Sequence, residues 1–166
     1  GMSVIRRTYL AAVETGLFDD VFVVTDSHLI FDEIVQHGGK AIMSKKEHES
    51  GSDRIAEAVE DLAVDVVINV QGDEPLIDAA IIDQLASLFD EDPTLQMATV
   101  ATPLLEEEYD EPSAVKVICN NRGDAMYFSR SLIPFPRHDF VKAPLKHIGI
   151  YGYKRDFLLD YAKMTP

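Results

Sequence analysis

The segment 69–75 (Asn-Val-Gln-Gly-Asp-Glu-Pro) combines a carboxylate with strong backbone signals. Gly72 permits a sharp turn or a close approach of the backbone to a ligand, and Pro75 stiffens the exit from that turn. Asp73 offers the kind of oxygen ligand that holds Mg²⁺ beside phosphate groups. The residues alone equally support a second interpretation, a polar turn that caps the next helix.

The segment 48–54 (His-Glu-Ser-Gly-Ser-Asp-Arg) places small polar residues before a predicted helix. Backbone amides at a helix start bind anions or the edge of a base, and Ser50 and Gly51 would present them. Arg54 would add a donor fork for a carbonyl or phosphate oxygen. An ordinary capped helix with a surface arginine, with Ser52 as its N-cap, is the interpretation that these residues favour by themselves.

Two further segments, 127–130 (Tyr-Phe-Ser-Arg) and 147–153 (His-Ile-Gly-Ile-Tyr-Gly-Tyr), carry groups suited to a polar ligand. Arg130 suits a ligand that bears a carboxylate. His147 and Tyr151 are four residues apart, a spacing that puts both on one face of a strand. The alternative is a hairpin whose tyrosines pack at a sheet edge, and the residues alone favour it.

Segments with helical periodicity alternate with short apolar segments typical of strands along the first hundred residues. The predicted helices and strands must position the candidate site residues. The predicted helices span 4–14, 27–36, 54–62, 78–90 and 156–163. The predicted strands span 20–25, 40–43, 65–70, 97–102, 115–119, 125–129 and 147–153. The alternation predicts an α/β fold, a mostly parallel sheet with helices on both faces. Ligands bind such sheets at the carboxyl ends of strands, where segment 69–75 lies.

Composition limits the partners of the chain. Its 166 residues are about the size of one domain, and 46% apolar residues suffice for a core. The formal net charge of −14 argues against nucleic acid, because phosphates favour a basic surface. No apolar stretch approaches the ~18 residues of a membrane span. The single Cys119 excludes an internal disulfide framework and a cysteine-based metal site.

The motifs at 50–54, 69–75, 127–130 and 147–153, together with segment 114–117 (Ala-Val-Lys-Val), occur in a characteristic order. The ordered set resembles the 3-deoxy-manno-octulosonate (Kdo) cytidylyltransferases, also called CMP-Kdo synthetases. The resemblance implies a Rossmann-like nucleotide-diphospho-sugar transferase fold and a homodimer. It also implies one domain over 2–166, with a nucleotide-binding α/β part at 2–111 and a β-rich part at 112–166 that binds the sugar and another subunit.

The resemblance implies an enzyme of the cytoplasm that transfers CMP from CTP to the anomeric hydroxyl of Kdo, for lipopolysaccharide synthesis, with Mg²⁺ as cofactor and pyrophosphate as product. In it Asp73 would be a catalytic Mg²⁺ ligand, and Arg130 would act in catalysis by offsetting the sugar carboxylate. The positions that match the family's CTP-binding segment are Ser50, Gly51 and Arg54. The positions that match its sugar-binding residues are Gln71, Arg130, His147 and Tyr151.

The sequence departs from the family pattern at both ends. The family begins with a strand and a loop rich in Arg, Gly and Lys that cradles the triphosphate, and it ends with a segment whose aspartate is a second metal ligand. This sequence contains neither, so we expect the polypeptide to be inactive by itself. Two other function classes stay open: a related sugar-acid nucleotidyltransferase, and a non-catalytic binding or dimerisation fragment.

Overall fold

Helices and strands follow one another in the order that the sequence predicts. In the computed structural model the helices are α1 (Val4–Glu14), α2 (His28–Gln36), α3 (Gly51–Val59), α4 (Ala79–Glu91) and α5 (Arg155–Tyr161). The strands are β1 (Val23–Thr25), β2 (Ala41–Met43), β3 (Val66–Val70), β4 (Met97–Pro103), β5 (Lys116–Cys119), β6 (Ala125–Ser129) and β7 (Leu145–Lys154). The structure describes residues 1–48, 50–72, 78–138 and 142–164. The mixed α/β class is therefore as predicted.

The chain divides into two compact units, residues 1–98 with 150–166 and residues 99–149. This division does not coincide with the boundary at residues 111 and 112 that was expected between nucleotide-binding and sugar-binding parts. The assignment of those two functions to 2–111 and 112–166 remains a prediction.

In the first unit, β1 and β2 pair in parallel, from Val23 opposite Ala41 to Thr25 opposite Met43. Helix α2 connects them, as a parallel pair requires a crossover connection, and it packs on both strands. Its Ile34 is 1% exposed and supplies the core contact.

The same unit contains a second pairing, in which β3 runs antiparallel to residues 150–154 of β7. Helices α3 and α5 pack together over a core whose fully buried members are Ala56, Val59, Tyr153 and Leu158. Arg155 donates from Nε to Val59 O (3.1 Å) and from Nη2 to Glu60 O (2.7 Å). Since the last carbonyls of a helix have no partner within it, Arg155 secures the end of α3.

In the second unit, β5 pairs antiparallel with β6, with Val117 opposite Phe128, and also with the start of β7, with Val117 opposite Leu145. Gly123, with φ of 90°, permits the tight turn between β5 and β6. Among the described strands of this unit, β6 lies at an edge. The strands predicted at 115–119, 125–129 and 147–153 are present, with ends that differ by a few residues.

Parallel pairing is less frequent than predicted. Among the described strands with a registered partner, only β1 and β2 are parallel, whereas β3–β7, β5–β6 and β5–β7 are antiparallel. The residues described between β5 and β7 form no helix, and strands joined without a crossover helix pair antiparallel. No helix among the described residues is both long and apolar enough to cross a membrane.

Candidate functional site

Helix α3 begins at Gly51, three residues earlier than predicted, and its N-cap is Ser50 rather than Ser52. Ser50 Oγ accepts a hydrogen bond from Asp53 N (3.2 Å) and donates one to Asp53 Oδ2 (2.6 Å). The side chain of an N-cap residue satisfies an amide of the first turn, which the helix itself leaves without a partner. Two predicted ligand-binding residues, Ser50 and Gly51, therefore form the helix start.

The described structure gives no reason for a glycine at position 51. Gly51 is exposed, its φ lies outside the left-handed region, and a Cβ built there would meet no atom of the described residues within 4 Å. Among those residues, neither steric crowding nor backbone strain requires glycine at this position. A ligand that approaches the backbone closely would require it.

Arg54 joins the start of α3 to the residue that follows β1. Its Nη2 donates to Asp26 Oδ2 at 2.8 Å, and both side chains are partly exposed. Exposed ion pairs contribute only about 0–1 kcal/mol to stability, so this pair mainly orients the guanidinium. Thr25 Oγ1 accepts a hydrogen bond from Ser27 N (3.1 Å), so Thr25 supports the start of α2.

A buried pair, His48 and Glu57, fixes the segment that leads into this helix start. His48 Nε2 lies 2.7 Å from Glu57 Oε2, and the side chains are 4% and 12% exposed. Lys45 N also donates to Glu57 Oε2 (3.2 Å). The hydrogen bond from His48, more than the charges around it, lowers the pKa of the Glu57 carboxyl. Sequence reasoning assigned no role to either residue, because no local pattern links positions so far apart.

The described residues on either side of 73–77, Gly72 and Asp78, each make a hydrogen bond with a helix. Thr8 Oγ1 lies 3.1 Å from Gly72 O, and Ile5 Cδ1 would lie 2.9 Å from a Cβ at Gly72, so the close approach at this glycine is to α1. Asp78 caps α4 by accepting from Ala80 N (2.9 Å). Asp73, the predicted metal ligand, lies outside the described residues. Within the described part of the chain, no three His, Cys, Asp or Glu are placed to hold a metal ion.

Tyr151 lies on β7, opposite Asn69 of β3. Its ring stacks on Tyr153, with centroids 6.1 Å apart, and packs against the core of the first unit. Burial raises the pKa of the Tyr151 hydroxyl above its ordinary value, which already lies above neutral pH, so the protonated hydroxyl can donate a hydrogen bond. The sequence favoured packing among the tyrosines over ligand binding. Tyr151 does pack on Tyr153, and it also presents a half-buried hydroxyl group.

In the second unit, Arg130 follows β6 and is exposed. Its Nη1 donates to Pro112 O at 2.7 Å. His147 Nε2 lies 2.9 Å from Thr99 Oγ1, and its ring meets Phe128 edge-on at 5.0 Å between centroids. Burial lowers the pKa of His147, so the imidazole is neutral at pH 7.

This burial predicts a pH dependence of stability. The folded pKa of His147 lies below the unfolded value of about 6.5, so the unfolded chain binds more protons and the free energy of unfolding falls as pH drops through 6.5 toward the folded pKa. Denaturant unfolding between pH 5 and 7.5 measures this slope. His147→Gln is expected to flatten this slope, and His28→Gln, at an exposed histidine of α2, is the control. Equal slopes in all three proteins would contradict the prediction.

The structure thus divides the predicted site residues between its units. The first unit contains Ser50, Gly51, Arg54, Gln71 and Tyr151. The second unit contains Arg130 and His147.

The similarity to known proteins extends over the whole chain. The family model described as Cytidylyltransferase matches residues 1–166. A 3-deoxy-manno-octulosonate cytidylyltransferase of Flavobacterium johnsoniae is 56% identical over 165 residues, which are 97% of this chain and 68% of that protein. The chain belongs to the 3-deoxy-manno-octulosonate cytidylyltransferase family. The enzyme of that name from Escherichia coli is 41% identical over 99% of this chain and 67% of its own length.

Solved structures agree with this membership of the cytidylyltransferase family. The structure of CMP:2-keto-3-deoxy-manno-octonic acid synthetase complexed with CTP superimposes with a TM-score of 0.90 and 40% identity, covering 98% of this chain and 68% of that one. A 4-diphosphocytidyl-2C-methyl-D-erythritol synthase of Anaerococcus prevotii, at 13% identity and a TM-score of 0.61, shares the fold alone. The predicted nucleotidyltransferase fold is therefore confirmed.

Proposed function

We propose that this chain belongs to an enzyme that transfers CMP from CTP to the anomeric C2 hydroxyl of Kdo. The hydroxyl oxygen forms a bond to the α-phosphorus of CTP, the bond between the α-phosphorus and the bridging oxygen breaks, and pyrophosphate leaves. The observation that carries this proposal is the match to a synthetase complexed with CTP, at a TM-score of 0.90 over 98% of the chain. The cytoplasmic location that the family implies is part of the same proposal.

In this proposal the start of α3 holds CTP. Ser50 and Gly51 lie at the positive end of the helix dipole, which favours an anion or an electron-rich base edge. The open space at Gly51 leaves room for a ligand against the backbone. Arg54, already oriented by Asp26, adds donors in the same turn of α3.

Gly51→Ala tests this placement. The added methyl group meets no atom of the described residues, and alanine favours helix more than glycine, so the melting temperature is expected to stay the same or rise. A ligand pressed against the backbone would be displaced, which raises KM for CTP by about tenfold (~1.4 kcal/mol). KM for Kdo serves as the internal control and stays within twofold. An unchanged KM for CTP would remove the helix start from the nucleotide site.

The sugar acid is bound by Gln71, Arg130, His147 and Tyr151 in this proposal. A guanidinium offsets the carboxylate through charge-assisted hydrogen bonds. His147, neutral at pH 7, and the protonated Tyr151 hydroxyl supply hydrogen bonds to sugar hydroxyls rather than net charge. This division places the positive charge where the ligand is negative.

We propose Mg²⁺ as the cofactor, held by Asp73 and by phosphate oxygens of the substrate. Carboxylate and phosphate oxygens are the ligands with which Mg²⁺ is usually bound, and a dedicated cage of several protein ligands is not required. When bound, the ion supplies neutralisation of the phosphate charge. The chain needs such a contribution because its own net charge is −14 and both substrates are anions.

The family also implies a homodimer, and we propose that β6 and the loop after it form the interface with a second copy. Met126 and Tyr127 of the edge strand β6 are 67% and 63% exposed, and Phe135 of the following loop is 86% exposed, so this region presents large apolar side chains to solvent. A monomeric protein with such an edge would be prone to uncontrolled association. A symmetric pairing with a second copy covers both the backbone edge and the side chains.

Tyr127→Glu is expected to weaken this dimer by about 30-fold or more, because a charge replaces a buried aromatic contact (~2 kcal/mol). Sedimentation or light scattering over a concentration series measures the dissociation constant. The matched control is Leu29→Glu, which places the same charge at an exposed leucine of α2. A dimer that responds equally to both substitutions, or to neither, would contradict the assignment of the interface.

The reaction itself is tested by pyrophosphate release from CTP and Kdo with Mg²⁺. The assay is run on this chain and on the chain extended at both ends to the length of its relatives, of which it spans about two thirds. Release that requires both substrates in either form supports the proposal. Silence in both forms would overturn it, and release with another sugar acid or nucleotide would identify a related nucleotidyltransferase instead.

A further inference from the structure

Lys116 is the one charged side chain that is fully buried among the described residues, with 0% of its surface exposed. It lies at the start of β5, opposite Ser129 of β6 and Lys146 of β7. Burial of an ammonium group is costly unless polar partners replace its water. The partners of Lys116 therefore indicate what the fold gains from this charge.

Those partners are two backbone carbonyls from different segments. Lys116 Nζ donates to Glu111 O at 2.8 Å and to Arg130 O at 3.3 Å. One carbonyl belongs to the segment before β5, and the other belongs to the residue that follows β6. The buried ammonium therefore ties these two segments together at the point where Arg130 leaves the sheet.

The guanidinium of Arg130 contacts the same segment. Its Nη1 donates to Pro112 O at 2.7 Å, one residue beyond the carbonyl that Lys116 holds. The contacts close a ring: Lys116 holds the backbone of Arg130 and of Glu111, and Arg130 holds Pro112. Both the main chain and one donor nitrogen of Arg130 are thus fixed before any ligand arrives.

An ion pair supports the ring from outside. Lys146, which lies opposite Lys116, pairs with Glu108. The hydrogen bond from Lys146, and to a lesser degree the charge of Lys116, holds the pKa of the Glu108 carboxyl low. Glu108 thus stays negative near the buried ammonium and partly balances its charge.

We infer that Lys116 is a positioning residue for sugar-acid binding, acting through Arg130. The inference rests on the proposed role of Arg130. Lys116 is too deeply buried to meet a substrate, but it fixes the backbone from which the guanidinium projects. A guanidinium held in place before binding loses less conformational freedom when the carboxylate arrives, so binding of the sugar acid is tighter.

A double-mutant cycle of Lys116→Met and Arg130→Gln tests the inference, in the form of the chain that releases pyrophosphate. Methionine keeps the length of lysine and removes its donors. Lys116→Met is expected to raise KM for Kdo by about tenfold and to leave KM for CTP within twofold. In the Arg130→Gln background the same substitution is expected to change neither. Lys163→Met, at an exposed lysine of the first unit that lies outside the proposed sites, is the control.

Hydrogen exchange of segments 109–113 and 129–132 provides a readout that is independent of turnover, and Lys116→Met is expected to increase exchange in both. If Lys116→Met does not fold, Lys116→Arg takes its place, since it keeps donors but displaces them. Equal effects of the Lys116 substitution with and without Arg130 would overturn the inference and leave Lys116 a structural residue. An unchanged KM for Kdo in Arg130→Gln alone would instead remove the proposed role of Arg130, and the inference with it.

Discussion

Asp73→Asn is expected to lower kcat/KM for CMP transfer by about 100-fold or more, equivalent to ~3 kcal/mol of transition-state stabilisation. Asparagine has nearly the same shape as aspartate but carries no charge, so its hold on a divalent cation is weaker. The loss is expected in kcat as well as in KM for CTP, because charge on the phosphates increases as pyrophosphate departs.

The prediction for Asp73 is checked by pyrophosphate release over a series of Mg²⁺ concentrations. Calorimetry of CTP binding, with Mg²⁺ and with a chelator, adds a measurement that requires no turnover. In the unchanged sequence Mg²⁺ should tighten CTP binding, and in Asp73→Asn it should do so far less. Asp83→Asn, at an exposed position of α4, is the matched control. If Asp73→Asn retained the full effect of Mg²⁺ on binding and rate, Asp73 would not be a metal ligand.

Local sequence patterns predicted most helices and strands of this fold. The bounds of α1 agree at both ends, because Ser3 supplies an N-cap hydroxyl and Gly16, with φ of 67°, ends the helix in the left-handed conformation. The strands β3 and β6 were found from short apolar runs between turn residues. Each of these signals acts within a few residues, so one sequence contains them in full.

Features that depend on distant residues were not predictable in this way. Ser50 and Ser52 are both good N-cap residues, and only the bond from Asp53 N to Ser50 Oγ decides between them. The share of parallel pairing was overestimated, because periodicity identifies a strand but neither its neighbour nor the direction of the pairing. The burial of Lys116 was not anticipated either, since a lysine in a strand is normally exposed and its carbonyl partners come from two other segments.

For the candidate site, the ordered motifs carried more information than the chemistry of any one residue. By themselves, the residues of this segment favoured an ordinary capped helix over a CTP site for Ser50, Gly51 and Arg54. The structure shows such a cap. Gly51 at this cap is exposed and has open space around it among the described residues, so the helix start itself does not require a glycine there. A structural role and a binding role are therefore compatible at this position, and only a ligand-dependent measurement separates them.

Arg130→Gln is expected to raise KM for Kdo by roughly 10- to 100-fold, because hydrogen bonds to a charged group contribute about 1.5–3 kcal/mol. Glutamine retains a donor for Pro112 O but carries no charge for a carboxylate. KM for CTP is expected to stay within twofold. A KM effect with unchanged kcat would assign Arg130 to binding alone, and a fall in kcat at saturating Kdo would show that it also stabilises the transition state.

Three comparisons isolate the charge contact of Arg130. Arg122→Gln removes a charge from an exposed arginine before β6 in the same unit and is the control for net charge. Arg130→Lys keeps the charge but loses the fork that matches a carboxylate, so an intermediate KM is expected. A Kdo carboxamide in place of the acid removes the partner charge from the substrate side. If Arg130 contacts the carboxylate, the protein with Arg130 should have a much lower KM for Kdo than for its carboxamide. In Arg130→Gln the two KM values should differ little. Equal discrimination by both proteins would place the carboxylate elsewhere in the site.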